Sequence, residues 1–383
     1  MTEPIVIVGA GQAGIRAAET LRKMGWEDPI IMYGDEAWPP YQRPPLSKKF
    51  LAGELEEEQL LLQGEAFYER NAIEFIPGSR VLEIDPAAHQ LDVSGRDSPL
   101  KYSKLLLTTG CRPRALAVPG ADDTRLETLR TITDVNRIRG KIEHCSRPAI
   151  IGGGYIGLEV AAVLQGMGKQ VTVLEAQDRL LGRVTSPEVA EFFRKLHGGH
   201  GVDIRLNASV IRLETRGKET MIVLDDESEV AADFMLVAIG AIANDELARQ
   251  AGLHCYDGIM VDELCKAAPD IYAAGDCTRF PLPRYGRSVR LESVQNANDQ
   301  ARAAAQSMLG EGDPYNALPW FWSDQYDVKF QIAGLSDGYD ALEMDGDPET
   351  GSFSVSYYRD GKLIAVDAIN AARAHMMARR TLA

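Results

Sequence analysis

Ile5-Val6-Ile7-Val8-Gly9-Ala10-Gly11-Gln12-Ala13-Gly14 decides how this chain begins to fold. Four consecutive apolar residues read as a parallel strand buried on both faces, and the glycines then turn it into the helical pattern of residues 15–23. The three glycines play different parts. Gly9 permits the tight turn, Gly11 lets a pyrophosphate approach the backbone, and Gly14 lets helix and strand pack closely. The helix N-terminus then holds phosphate oxygens. The next strand pattern, residues 29–33, ends in Gly34-Asp35-Glu36, with Asp35 standing 21 positions after Gly14, where a ribose hydroxyl is usually bound.

The pattern returns 143 positions later. Pro148-Ala149-Ile150-Ile151 runs into Gly152-Gly153-Gly154-Tyr155-Ile156-Gly157, a helical stretch at 158–167, and a strand at 170–174 that ends at Glu175. Two dinucleotides are expected, on an α/β fold with two Rossmann-like domains. An acid at the end of the second strand accepts hydrogen bonds from both adenosine-ribose hydroxyls, whereas the 2'-phosphate of NADP would meet it charge to charge. The preference for NADH should be about 1–3 kcal/mol. A solvated strand end is the bland alternative for Glu175.

Shorter strand patterns at 105–108, 234–239 and 270–273 run into Gly110, Gly240 and Gly275, as junctions at cofactor edges do. The last delivers Asp276 ahead of a helical stretch at 293–309. Such an aspartate either binds a ribityl hydroxyl or serves as a cap or turn residue.

Composition excludes other classes. The 383 residues are 45% hydrophobic and 25% charged, and the longest clearly apolar stretch, residues 234–243, falls short of the roughly 18 residues of a membrane span. The strand at Ile5 leaves no room for a signal peptide, so a cytoplasmic protein is expected. Fifty-six acids against 41 bases give a net charge of -15, which repels nucleic acid and anionic lipid. Five cysteines without a C-x-x-C and six scattered histidines without an H-x-x-x-H pair predict reduced, mostly buried thiols and no metal site.

Other strings carry a resemblance. Arg43-Pro44-Pro45-Leu46-Ser47-Lys48, Thr108-Thr109-Gly110, Gly275-Asp276, Glu292-Ser293-Val294-Gln295-Asn296-Ala297 and Trp320-Phe321-Trp322-Ser323-Asp324-Gln325 stand in order around the two glycine motifs. The chain resembles, over nearly its whole length, the NADH-dependent ferredoxin reductases of aromatic-ring dioxygenase and bacterial P450 electron chains. That resemblance implies a glutathione-reductase type architecture: a discontinuous FAD domain (1–113 and 241–318), an inserted NADH domain (114–240) and a small α+β C-terminal domain (319–383). It assigns FAD contacts to Ala13, Asp35, Lys48, Val81, Arg130, Asp276 and Val294, beside Gly9, Gly11, Gly14, Arg43, Thr109 and Trp322. To NADH it assigns Ile156, Glu159, Glu175 and Arg183, beside Gly152, Gly153, Gly154, Gly157 and Gly240. One departure is Gly240-Ala241-Ile242-Ala243-Asn244 in place of the usual Gly-x-x-Pro-Asn, which loosens a turn without removing a ligand.

The resemblance also places Lys48 beside Glu159 near the flavin N5, as the catalytic pair. Neither charge would be buried alone, because each costs several kcal/mol to desolvate. A pair that only ties two domains together is the alternative. Residues 36–50 contain no cysteine, where disulfide reductases and related peroxidases place theirs, so electrons have no thiol exit and must pass to a soluble carrier. The expected reaction carries a hydride from NADH to FAD and then single electrons to a [2Fe-2S] ferredoxin that feeds a terminal oxygenase. Rubredoxin or nitrite-reductase electron donation, or a redox-sensing interaction protein similar to apoptosis-inducing factor, are the competing readings. A monomer or homodimer is expected. Trp320 and Trp322 read as core by composition and as flavin-packing residues by resemblance. The arginine-rich segment 279–290, with Arg302 beyond it, is the expected docking surface for an acidic ferredoxin.

Overall fold

The computed structural model describes residues 2–383 and divides the chain into two compact units. The first comprises Met1–Gln42, Leu60–Arg112 and Ile242–Pro319; the second comprises Arg43–Gln59, Pro113–Ala241 and Trp320–Ala383. No helix among the described residues is long and apolar enough to cross a membrane.

The first unit is built on a six-stranded sheet ordered Lys266–Ala268, Ile271–Ala273, Lys104–Leu107, Ile5–Val8, Ile30–Tyr33 and Ile73–Ile76. All neighbours are parallel except the Lys266–Ala268 edge. Ile5–Val8 is central and buried along its whole length, which is why every position is apolar. The Gln12–Lys23 helix packs along the Val294–Met308 helix, and both bury small residues, Ala17 and Ala18 in one and Ala301, Ala304 and Ala305 in the other. Gln12 Nε2 donates to Asn298 Oδ1 across that contact at 2.8 Å.

The second unit holds a five-stranded, all-parallel sheet ordered Asp203–Arg205, Thr172–Leu174, Pro148–Ile151, Phe234–Val237 and Leu126–Thr128. Both sheets are thus Rossmann-like. The C-terminal part is an antiparallel sheet ordered Trp320–Gln325, Val328–Gly334, Lys362–Ile369, Ser352–Arg359 and Ala341–Asp347, closed by the Ala372–Leu382 helix through Ala333, Val366 and Ala378. It clusters with the second Rossmann-like sheet because aromatic rings join them: Tyr155 meets Phe321 at 4.6 Å, and Phe193 meets Phe330 at 5.2 Å. The Arg43–Gln59 segment joins the same unit through the Arg139 guanidinium, which donates to Phe50 O and lies 4.2 Å over the Phe50 ring.

Candidate functional site

The two glycine turns repeat each other in geometry. Gly9 and Gly152 adopt φ of 114° and 112°, and a Cβ on either would collide with the carbonyl oxygen of Thr108 or Ala238. Only glycine fits there. A Cβ on Gly14 or Gly157 would strike the Gly9 or Gly152 carbonyl, so helix and strand meet with no side chain between them. Gly11 and Gly154, by contrast, face nothing within 4 Å. They cap the Gln12–Lys23 and Tyr155–Gly166 helices, and neither end is closed by a side chain. The Ile132–Ile142 and Val294–Met308 helices are closed, by Thr131 and Ser293. Open first-turn N–H groups in a glycine cradle suit a pyrophosphate, so the residues present fit a dinucleotide at both places.

The acids beside the turns differ. Gly9 N donates to Tyr33 O, and Gly152 N to Leu174 O, so Gly34 occupies the register position of Glu175. A Cβ on Gly34 would lie 2.8 Å from the Ala10 Cβ, whereas at the matching place Gly153 leaves room for the Glu175 side chain. Glu175 Oε2 accepts from Gly153 N at 2.7 Å and Oε1 from Gln177 N at 2.8 Å. Asp35 stands one residue beyond Gly34 and is exposed. The sequence reading placed each acid at the end of its strand and did not distinguish these two positions.

Within the first unit, Gly275 brings Asp276 to the glycine helix: a Cβ on Gly275 would lie 3.2 Å from that of Ala13. Asp276 Oδ2 accepts from the Cys111 thiol at 3.3 Å. Val294 opens its helix next to the Ser293 cap, and Val81 is buried at the start of the Val81–Asp85 strand. Thr109 and Asn244 exchange bonds, Thr109 Oγ1 to Asn244 O at 2.6 Å and Asn244 Nδ2 to Thr109 O at 2.9 Å. The alanine in place of the usual proline thus leaves Asn244 held.

Within the second unit, Lys48 Nζ meets Glu159 Oε2 at 2.6 Å, with Glu159 only 4% exposed. Ser47 Oγ donates to the same oxygen, and Ser323 Oγ donates to Oε1 at 2.6 Å. These two serines went unremarked in the sequence although each lies inside a quoted string. Arg43 Nη1 donates to Arg130 O at 2.7 Å. Ile156 is 44% exposed at the start of its helix, and the Arg183 guanidinium lies against Gly240. Trp322 lies 5.6 Å from Trp320, which carries the Arg379 guanidinium over its ring at 4.5 Å.

All five cysteines are thiols rather than disulfides. Burial pushes the Cys145 and Cys277 thiols up, Cys255 to about 11 and Cys265 to about 12, which keeps them protonated at neutral pH. Among the described residues no group of three His, Cys, Asp or Glu side chains is placed to hold a metal ion.

A strand, a glycine turn and an uncapped helix, present twice, fit the dinucleotide-binding pattern of Rossmann-like proteins. The chain belongs to the pyridine nucleotide-disulphide oxidoreductase family, whose model matches residues 3–301, while the reductase C-terminal model matches residues 320–383. The family implies a flavin and a nicotinamide cofactor. The chain is 42% identical over 381 residues to the 5,5'-dehydrodivanillate O-demethylase ferredoxin reductase subunit of Sphingobium sp., covering 98% of this chain and 92% of that protein. A rubredoxin-NAD(+) reductase of Pseudomonas putida is 37% identical over 96% of this chain and 95% of its own length. Among solved structures, a ferredoxin reductase of Rhodopseudomonas palustris matches with TM-score 0.96 at 37% identity, over 99% of this chain and 94% of that one. The reductase in the covalent putidaredoxin reductase-putidaredoxin complex matches with TM-score 0.95 at 38% identity, over 100% and 93%.

Proposed function

We propose that this chain is an NADH:ferredoxin oxidoreductase, with FAD in the first glycine turn, NADH in the second, and a [2Fe-2S] ferredoxin of an oxygenase system as electron acceptor. The observation that carries the reading is the duplicated open cradle, with no cysteine in residues 36–50 where a thiol route would need one. A flavin, when bound, supplies the capacity to accept two electrons as a hydride and release them singly. What the protein supplies is binding and orientation. Residues 1–113 and 241–318 would hold FAD through Gly9, Gly11, Ala13, Gly14, Asp35, Val81, Thr109, Asp276 and Val294. Residues 114–240 would hold NADH through Gly152, Gly153, Gly154, Ile156, Gly157, Glu175, Arg183 and Gly240. Arg43, Lys48, Arg130 and Trp322 belong to the flavin contacts of the same proposal, and Lys48 with Glu159 forms its buried charged pair. Glu175, already anchored by the glycine loop, favours NADH because its charge opposes a 2'-phosphate.

The test is reduction of cytochrome c by NADH through added purified ferredoxins, with rubredoxin as the comparison carrier. Ferredoxin-dependent turnover at least tenfold above that with rubredoxin supports the reading. The reverse ranking supports rubredoxin reduction, the activity named for the Pseudomonas putida relative. No turnover with either carrier supports the sensing alternative.

A further inference from the structure

Beyond Glu159 lies a buried polar chain that packing alone does not call for. Ser323 and Gln325 face inward from the Trp320–Gln325 strand, at 0% and 1% exposure, with exposed Asp324 between them. Inward positions of a strand are normally apolar, and each buried polar group there must be matched by a partner. Here every link is made. Ser323 Oγ lies 2.6 Å from Glu159 Oε1, Gln325 Nε2 lies 3.2 Å from Ser323 Oγ, and His197 Nε2 lies 2.9 Å from Gln325 Oε1. Tyr326 OH lies 3.4 Å from His197 Nδ1.

The chemistry gives these links one direction. An ionised carboxylate only accepts, so Ser323 spends its single proton on Glu159 and its oxygen accepts from the Gln325 amide N–H. The Gln325 carbonyl therefore faces His197, which must carry its proton on Nε2 and offer Nδ1 to the Tyr326 hydroxyl. Burial holds His197 toward its neutral form, as this tautomer requires. All four donors point toward Glu159, the arrangement in which hydrogen bonds in series reinforce one another. The outer end is clamped: Tyr326 holds φ of 54° in the hairpin turn, and the exposed His200 ring stacks on it at 3.8 Å.

We propose that Ser323 and Gln325 are positioning residues that fix the Glu159 carboxylate, and through it the Lys48 ammonium, with His197 closing the chain as its Nε2–H tautomer. The proposal rests on the reading above only in treating that pair as part of the reductase site. In the flavin-loaded protein, Ser323→Ala, Ser323→Thr and Gln325→Leu are compared for the acetic anhydride labelling rate of Lys48, for the rate of flavin reduction by NADH, and for Tm. Ser323→Ala is expected to speed Lys48 labelling several-fold and slow reduction about 10-fold, the size of loss typical for removing an orienting partner, with the KM for NADH within about twofold. Ser323→Thr restores both rates, and Gln325→Leu shows the same changes at smaller size. Nitrogen-15 NMR of the wild type should show His197 protonated at Nε2 alone. Folded Ser323→Ala and Gln325→Leu proteins with unchanged Lys48 labelling and reduction rates, or His197 protonated at Nδ1, overturn the proposal. If labelling responds as expected but no ferredoxin is reduced, the positioning role stands and the proposed function falls.

Discussion

Gly153 and Glu175 are complementary: the N–H of the glycine bonds to Oε2 of the glutamate at 2.7 Å, and a Cβ at residue 153 would lie 3.1 Å from that oxygen. The first glycine turn has the opposite arrangement, with Ala10 in place of the glycine and Gly34 in place of the acid. The two turns thus share one backbone geometry and differ in where a side chain stands.

Gly153→Ala should therefore impair the nucleotide site from within. The added methyl would lie 2.5 Å from Leu180 Cδ2 and press on Glu175, so the carboxylate must shift. A rise of about 10-fold in the KM for NADH is expected, corresponding to roughly 1.4 kcal/mol. Glu175→Arg should narrow or invert the NADH preference in kcat/KM. Wild-type protein that uses NADPH as well as NADH would refute this account of Glu175.

Alkylation should leave the core reaction alone. Treating the reduced protein with iodoacetamide at pH 7 meets four buried thiols and half-buried Cys255, the most accessible, whose thiol burial keeps protonated. NADH-to-ferricyanide activity is expected to persist while labelling is followed by mass spectrometry. Activity lost in step with labelling would point to a thiol in the electron route.

Asp367 should give stability a pH dependence of unusual sign. Its carboxyl is fully buried in the C-terminal sheet, accepts from Tyr357 OH at 2.6 Å, and is pushed up to about 7 by desolvation. The folded state therefore binds a proton that the unfolded state releases near pH 4. This contribution is fully present below about pH 4 and is lost as pH rises through about 7. Between pH 5.5 and 8 the wild type should lose about 2 kcal/mol relative to Asp367→Asn, at 1.36 kcal/mol per pH unit up to the folded value. Parallel Tm-against-pH curves for the two proteins would show that Asp367 does not titrate in this range.

Charge reversal locates the carrier surface. In the arginine-rich segment, Arg279 and Arg290 share Asp257, Arg290 also meets Glu292, and Arg302 is paired with Asp299 at 3.0 Å. These acids offset part of the local positive field. The Ala372–Leu382 helix carries Arg373, Met376, Met377 and Arg380 on one exposed face and contains no acid. Arg287→Glu and Arg302→Glu are expected to raise the KM for ferredoxin at low salt and to flatten its salt dependence, with ferricyanide turnover unchanged. If only Arg380→Glu does so, the C-terminal helix is the docking face.

The glycine turns, the buried strands before them and the acid at 175 were legible in the sequence because their constraints are local. A positive φ, a close approach of backbone to backbone, or a strand covered on both faces admits few residue types, and the pattern records which. Asp35 and Glu175 both read as acids at a strand end, yet they are offset by one residue, and a Cβ at residue 34 would lie 2.8 Å from that of Ala10, a crowding that no strand pattern contains. Tertiary structure alone decided that Ser323 reaches Glu159 across 164 positions, that His197 meets Gln325 across 128, and that the Arg43–Gln59 segment packs with the second unit. A side-chain hydrogen bond is effective over about 3 Å, and which distant residues come that close is set by how the strands and helices are stacked, not by the residues themselves.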